Sequence, residues 1–304
     1  MDRNSVSWSG AMPAITTPFT KAGEVDHDAL AANIRRLLKE GASGVLAAGC
    51  TGEFWALLPE ERRAIYATTR KAAGEGTAIV GAPGITPREV IAGMEAAAEA
   101  GVDGVLVLPP FFAHLSREEL VAHFRTVSDA APLPVVLYNI PGNAGNALTP
   151  EIVDELADLE NVVAIKESSG DWLNFHRTLA LTSDRIRVFC GPSSTIGVPA
   201  MLAQCDGLVD CFPNVWSALL DIWPMIQRGE FDEAWALQSR AQELTNLFVT
   251  GGRTLYPATK AAMDYLGLPG GGLPRAPLKP LSGEALSGLH RGLDRILNLT
   301  ENAA

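Results

Sequence analysis

The chain has 304 residues, of which 47% are apolar and 19% charged, and its mean hydropathy is +0.12. A chain of this length and composition buries a substantial core, which excludes disorder. The 24 basic and 35 acidic residues leave a net charge of −11, the wrong sign for a partner such as a nucleic-acid backbone or an anionic membrane surface. Cys50, Cys190, Cys205 and Cys211 show no C-x-x-C spacing and do not form a disulfide framework. Met1 to Gly10 has no apolar stretch after a basic start, and no apolar run reaches the roughly 18 residues of a membrane span. The expectation is a reduced cytoplasmic protein.

In chain order, continuously apolar runs predict strands at Ala11–Thr16, Gly44–Ala48, Ala78–Gly81, Gly104–Leu108, Pro134–Tyr138, Val162–Lys166, Arg187–Cys190 and Gly207–Val209. Amphipathic stretches between them predict helices at Asp28–Lys39, Pro59–Ala73, Pro87–Ala100, Arg117–Ala130, Pro150–Leu156, Trp172–Leu181 and Ile196–Ala203. Thr86, Ser116 and Thr149 stand at cap positions, with proline at the first helical position after Thr86 and Thr149. Continuous rather than alternating apolar strands are those of a parallel sheet covered on both faces. About eight βα units, without a G-x-G-x-x-G turn after the first strand, predict a (β/α)8 TIM barrel over a doubly wound sheet. Further helices at Trp216–Gln227, Phe231–Val249, Tyr256–Leu266 and Gly283–Leu299 close the barrel and extend it. The expected division is a barrel over 1–228 and a C-terminal helical domain over 229–304.

Barrel active sites lie at the C-terminal ends of the strands, so the residues just after each apolar run are the candidates. Those ends read Thr16-Thr17-Pro18-Phe19, Gly49-Cys50-Thr51-Gly52-Glu53, Tyr138-Asn139-Ile140-Pro141, Lys166-Glu167-Ser168-Ser169 and Gly191-Pro192-Ser193-Ser194. Lys166 ends an apolar strand, where desolvation favours the neutral, nucleophilic amine that forms Schiff bases. The competing reading has it reach solvent or pair with Glu167. Tyr138 ends the neighbouring strand and is either a proton donor to Lys166 or a buried hydroxyl held by backbone. Thr51 and its turn offer donors for a carboxylate or merely cap a helix. Gly191 and Ser193 suggest an anion loop from which Pro192 removes one donor. Lys260, on the predicted helix after Tyr256, is a further lysine that can face the barrel mouth. The histidines are scattered without ligand spacing, and no Walker loop or G-x-S-x-G elbow occurs.

Together, Gly49-Cys50-Thr51-Gly52-Glu53, Tyr138-Asn139-Ile140-Pro141 and Ile165-Lys166-Glu167-Ser168-Ser169 resemble the carboxylate turn, the Y-N-x-P motif and the Schiff-base segment of the dihydrodipicolinate synthase and N-acetylneuraminate lyase family. Thr16-Thr17-Pro18-Phe19 and Pro109-Pro110-Phe111-Phe112 match in place as well, so the similarity runs over about residues 10 to 300. The resemblance implies a cofactor-free and metal-free class I lyase, an aldolase or dehydratase acting on a pyruvate-like 2-oxo acid, and a homotetramer built as a dimer of dimers. Lys166 is then the nucleophile and Tyr138 the acid–base group, with Cys50, Thr51, Gly52, Phe112, Asn143, Gly191 and Ser193 as substrate contacts. Phe112 stands where dihydrodipicolinate synthases carry a tyrosine supplied across the dimer interface, and Cys50 where they carry threonine. The arginine that follows Y-N-x-P in those enzymes is absent from Gly142-Asn143-Ala144-Gly145. These departures turn the expectation from dihydrodipicolinate synthase proper toward 2-keto-3-deoxy sugar acids, with Asn143 facing a neutral hydroxylated tail. A non-catalytic 2-oxo acid binder is the alternative of another class.

Overall fold

The computed structural model describes residues 1–299; residues 300–304 of the expected helical segment 229–304 lie outside the described residues. Among the described residues eight parallel strands form one sheet: β1 (Gly10–Ala11), β2 (Gly44–Ala47), β3 (Thr77–Gly81), β4 (Gly104–Val107), β5 (Val135–Asn139), β6 (Val162–Glu167), β7 (Arg187–Cys190) and β8 (Gly207–Leu208). Strands β2 to β8 each pair with their sequence neighbours in that series, and β1 pairs with β8 through Gly10–Gly207 and Ala11–Leu208. A parallel bridge between Ala14, three residues past the end of β1, and Leu46 of β2 closes the barrel. The ladder of β1 is shorter than the predicted Ala11–Thr16 because Pro13 has no N–H to donate. Its carbonyl still accepts from the Leu46 N–H at 2.9 Å.

The helices α1 (His27–Lys39), α2 (Pro59–Ala73), α3 (Pro87–Glu99), α4 (Arg117–Asp129), α5 (Pro141–Ala144), α6 (Pro150–Leu156), α7 (Trp172–Thr182) and α8 (Ser193–Leu202) wrap the strands. Thr86 and Ser116 each close a reciprocal capping box with the glutamate three residues on, and Thr149 caps α6. The predicted helix Trp216–Gln227 is in fact a 3₁₀ turn over Ser217–Asp221 leading into α9 (Ile222–Arg228), because Pro224 is tolerated only in a first helical turn. Helix α8 is kinked at Ile196 and carries Pro199. That pair frees the Thr195 carbonyl and the Val198 N–H, and Gln238 of α10 (Phe231–Val249) satisfies both, donating to the first at 3.0 Å and accepting from the second at 2.5 Å.

Two cores follow from the pleat. One fills the space between strands and helices. The other fills the barrel interior, where Leu46, Ile79, Leu106, Val136, Ala164 and Phe189 meet and Trp8 plugs the end at which the strands begin. A Cβ on Gly104 would come within 2.4 Å of the Trp8 ring, so this strand start admits only glycine. At the opposite end α10 and α11 (Leu255–Tyr265) lie across the mouth, and α12 (Gly283–Leu297) packs behind them.

Lys260 of α11 does not face the mouth cavity as the sequence suggested. It is buried against Glu53 with an Nζ–Oε1 distance of 2.5 Å, and the two side chains are 1% and 0% exposed. The lysine also donates to the Leu273 carbonyl, and the other Glu53 oxygen accepts the Arg275 N–H at 2.9 Å. Removing one partner of a buried pair leaves an uncompensated charge. Lys260→Met is expected to lower unfolding free energy by about 3–5 kcal/mol in urea titrations, and adding Glu53→Gln to it to recover part of that loss; a single-variant effect below about 1 kcal/mol would refute the clamp.

Candidate active site

Lys166 and Ala164 share one face of β6, and Ala164 belongs to the interior core, so pleat parity aims the lysine into the barrel. The lysine is 7% exposed. Glu167, one residue on, points the other way and accepts from Asn139 Nδ2 at 2.5 Å, Asn174 Nδ2 at 2.9 Å and the Ser169 N–H at 2.6 Å. Pairing of Lys166 with Glu167, one of the readings open in the sequence, is therefore not formed. Burial lowers the pKa of the Lys166 amine below its usual value, opposed by the electrostatic influence of the neighbouring Cys50 and then of Asp210.

Tyr138 is the register partner of Lys166 across β5 and β6. The two side chains thus emerge at one level, and Lys166 Nζ lies 4.5 Å from the centroid of the phenol ring. Tyr138 is 3% exposed. Burial pushes its hydroxyl well above the usual range, assisted by Cys50 and Tyr256.

These groups line a cavity of about 190 Å³ at the strand C-termini, together with Cys50, Thr51, Ser168, Gly191, Asp210 and Tyr256. Around Thr51 the chain makes a tight turn in which Ala48 and Glu53 take φ of +51° and +55°. Among the described residues the N–H groups of Thr51 and Gly52 donate to no backbone acceptor. With the Thr51 hydroxyl they form a set of donors suited to a carboxylate. Gly191 is needed for close approach, since a Cβ there would fall 1.7 Å from Ser168 Oγ. That hydroxyl is buried without a hydrogen-bond partner among the described residues, as a group awaiting a ligand would be.

Lys166, Tyr138, Cys50, Thr51 and Gly191 are thus brought together, while four other expected contacts do not line the cavity. Gly52 serves the turn, its carbonyl accepting from Thr17 Oγ1 at 2.8 Å. Ser193 turns its hydroxyl toward Asp210 at 3.4 Å, leaving Ser194 and Thr195 to line the wall. Asn143 sits exposed on α5 beside the Tyr256 phenol. Phe112, at φ +75°, is 94% exposed and does not line the cavity.

Thr195, Asp210, Thr245 and Tyr256 line the wall and escaped the sequence reading. Asp210 follows β8, where the strand-end rule applies as well as it does elsewhere; its carboxylate accepts the Ser194 N–H at 2.8 Å and the Cys211 N–H at 2.6 Å. Tyr256 arrives from α11, for which no strand-end rule exists. A larger cavity of about 650 Å³ lies outside the barrel between α2 and α3, walled by Trp55, Tyr66 and Ile85, and holds none of these groups.

The sequence profile of the Dihydrodipicolinate synthetase family matches residues 7–296. The chain belongs to that family. It is accordingly an enzyme of the class I Schiff-base lyase type. It is 32% identical over 293 residues to 4-hydroxy-tetrahydrodipicolinate synthase 1 of Streptomyces coelicolor, covering 95% of this chain and 94% of the relative. An uncharacterised DapA-like lyase of Rhizobium meliloti is 29% identical, with 97% and 98% covered. Among solved structures, YagE of Escherichia coli K12, a prophage protein of the dihydrodipicolinic acid synthase family in complex with pyruvate, superposes with a TM-score of 0.90 at 26% identity, covering 96% of this chain and 99% of that one. Among the described residues no helix is long and apolar enough to cross a membrane.

Proposed function

We propose that Lys166 condenses with the keto carbon of a pyruvate-like 2-oxo acid and that the chain works as an aldolase or dehydratase through that Schiff base. The observation that carries this reading is a buried amine, lowered in pKa, whose Nζ stands 4.5 Å from the ring of a buried tyrosine on the adjacent strand. The neutral amine adds to the keto carbon, and the proton it sheds moves to the former keto oxygen, giving a carbinolamine. Tyr138 gives its phenolic proton to the carbinolamine hydroxyl, which departs as water while the nitrogen lone pair closes the C=N bond. The Tyr138 phenolate then takes a proton from C3; the C–H electron pair becomes the C2–C3 double bond, and the iminium nitrogen recovers its lone pair. The resulting enamine is the carbon nucleophile of an aldol addition, and the iminium is the electron sink for the reverse cleavage or for loss of a C4 substituent after C3 deprotonation. Thr51 and the N–H groups of its turn hold the carboxylate throughout.

Incubation with pyruvate and borohydride, followed by peptide mass spectrometry, is expected to give a reduced adduct on Lys166 and none in Lys166→Arg, whose guanidinium stays charged. Because the nucleophile is the deprotonated amine and burial lowers its pKa, the trapping rate should rise with pH and level off below the 10.5 of an ordinary lysine. Absence of the adduct would sink the reading.

For the rest of the substrate, a 2-keto-3-deoxy sugar acid is the better fit. Asp210, Thr195, Thr245 and Tyr256 of the cavity lining offer partners for hydroxyl groups, whereas a second carboxylate would meet the Asp210 charge. The printed names of the relatives favour 4-hydroxy-tetrahydrodipicolinate synthase instead. A panel of keto-deoxy sugar acids assayed by coupled detection of pyruvate or of the dehydrated product, beside aspartate semialdehyde plus pyruvate, is expected to give turnover with the first group; turnover confined to the second would reverse the choice.

The reading includes a homotetramer in solution. The 94% exposure of Phe112 on a residue held at φ +75°, with Trp55 and Leu58 also exposed on the segment whose Phe54 packs on Phe111, is what a partner subunit would cover. Mass photometry is expected to find four copies, and a monomer at micromolar concentration would contradict this.

A further inference from the structure

Helix α11 borders two cavities. Its Tyr256 lines the one that holds Lys166. Pro257, Ala261 and Asp264, spaced as one helical face, line another of about 350 Å³, which Leu273 of the segment 267–282 and Leu286 of α12 help to wall. That volume falls within the roughly 300–1,000 Å³ of small-molecule sites. At its edge the rings of Tyr265 and His290 stack with centroids 4.0 Å apart and 12° between their planes, and the Tyr265 hydroxyl donates to Asp294 Oδ1 at 2.8 Å. A flat aromatic edge is thereby held in place. Asp264 Oδ1 accepts the Gly272 N–H at 2.8 Å, and a Cβ on Gly271 would fall 2.1 Å from that oxygen, so only glycine lets the loop approach so closely. Among the described residues Asp264 Oδ2 accepts no hydrogen bond, and no lysine or arginine lines the cavity.

We propose that this outer cavity binds a primary ammonium ion carrying one ring-sized apolar group, with its nitrogen donating to Asp264 Oδ2 and its body resting on Pro257, Leu286 and the Tyr265 edge. An apolar chamber with one half-used carboxylate is the counterpart of such a cation, because the ammonium needs an acceptor and its body needs surface to cover. Asp264 is exposed, so its charge sets preference while the apolar body supplies most of the affinity. The two cavities share no lining residue, and the proposal does not depend on the Schiff-base reading. They are nonetheless joined by the loop. Asp264 holds Gly272, and Lys260, one helical turn earlier, donates to the carbonyl of the next residue, Leu273. A ligand in the outer cavity therefore braces the segment that completes the Glu53–Lys260 pair.

Calorimetric titration with phenethylammonium tests the site against two relatives of the same shape: phenethyl alcohol, which lacks the charge, and hydrocinnamate, which reverses it. The wild-type protein is expected to bind the ammonium saturably, about threefold or more tighter than the alcohol, and the carboxylate more weakly than either. Excess pyruvate should leave that binding unchanged. Asp264→Asn keeps an oxygen for the Gly272 N–H and should lose the preference for the ammonium while binding the alcohol as before. Ala261→Phe, checked for wild-type secondary structure by circular dichroism, fills the cavity and should bind neither. Undiminished ammonium affinity in Asp264→Asn or in Ala261→Phe, equal affinity for hydrocinnamate, or competition by pyruvate would each overturn the site. So would the lack of saturable binding to the wild-type protein, the result expected if another subunit is seated over this face.

Discussion

The buried pair between Glu53 and Lys260 is the constraint on which the site depends. Its two ends belong to structures far apart in sequence: the turn that follows β2 and a helix laid across the barrel mouth. Two charges withdrawn from water are stable only when held close and further hydrogen-bonded, and here the Leu273 carbonyl and the Arg275 N–H complete the set. The Phe19 ring adds an aromatic face to both cations, with Lys260 Nζ at 4.2 Å and the Arg275 guanidinium at 4.1 Å from its centroid. An arrangement so directional fixes α11 in rotation as well as position. The same helix face then delivers Tyr256 to the cavity, and the same turn delivers Cys50 and Thr51.

The second constraint is the pleat. Parallel strands in register put Tyr138 and Lys166 at one level, and alternation sends Lys166 inward and Glu167 outward. A one-residue slip of β6 would exchange them, placing a carboxylate where the nucleophile belongs. The Glu167 side chain is anchored outside by Asn139, Ser169 and Asn174, so its hydrogen bonds oppose that slip. Lys166 and Lys260 are both buried, and burial lowers the pKa of each amine, but Lys260 has the Glu53 carboxylate beside it to oppose that shift, whereas Lys166 has no ion-pair partner among the described residues.

Which parts of this were legible in the sequence follows from which signals are local. Strands β2 to β7 appear as apolar runs within a residue or two at each end, because both of their faces are buried and nothing interrupts them. The first strand is shortened by Pro13, and the final barrel helix breaks at Pro224, both visible in the sequence but requiring the tertiary setting to decide. Lys166 was readable because charge at the end of an apolar strand is a local contradiction. Asp210 was equally readable by that rule, applied to the last strand. Tyr256 was not, since its place in the cavity depends on where α11 is docked, and the docking is held by an ion pair spanning more than 200 positions, from Glu53 to Lys260. Phe112 carries a local motif match, yet it is 94% exposed and held at φ +75°, which the motif alone does not show.

The chain's charge of −11 at first sight opposes an anionic substrate. Surface charges are screened over a Debye length of about 8 Å at physiological ionic strength, so the overall field weakens before a ligand reaches the mouth. Inside a cavity of about 190 Å³ the relevant groups are few: the amine, the Thr51 turn and the Asp210 carboxylate. Donors there act at short range in a medium of low polarisability, where a hydrogen bond to a carboxylate is worth more than in water. Asp210 lies at the strand end that follows β8, and its oxygens are occupied by the N–H groups of Ser194 and Cys211. It therefore repels a second anion from that wall without withdrawing the Thr51 donors from the first. On the proposed reading, the Thr51 donors hold the carboxylate of a 2-oxo acid, its keto carbon meets Lys166, and the Asp210 charge disfavours a second anion on the same lining.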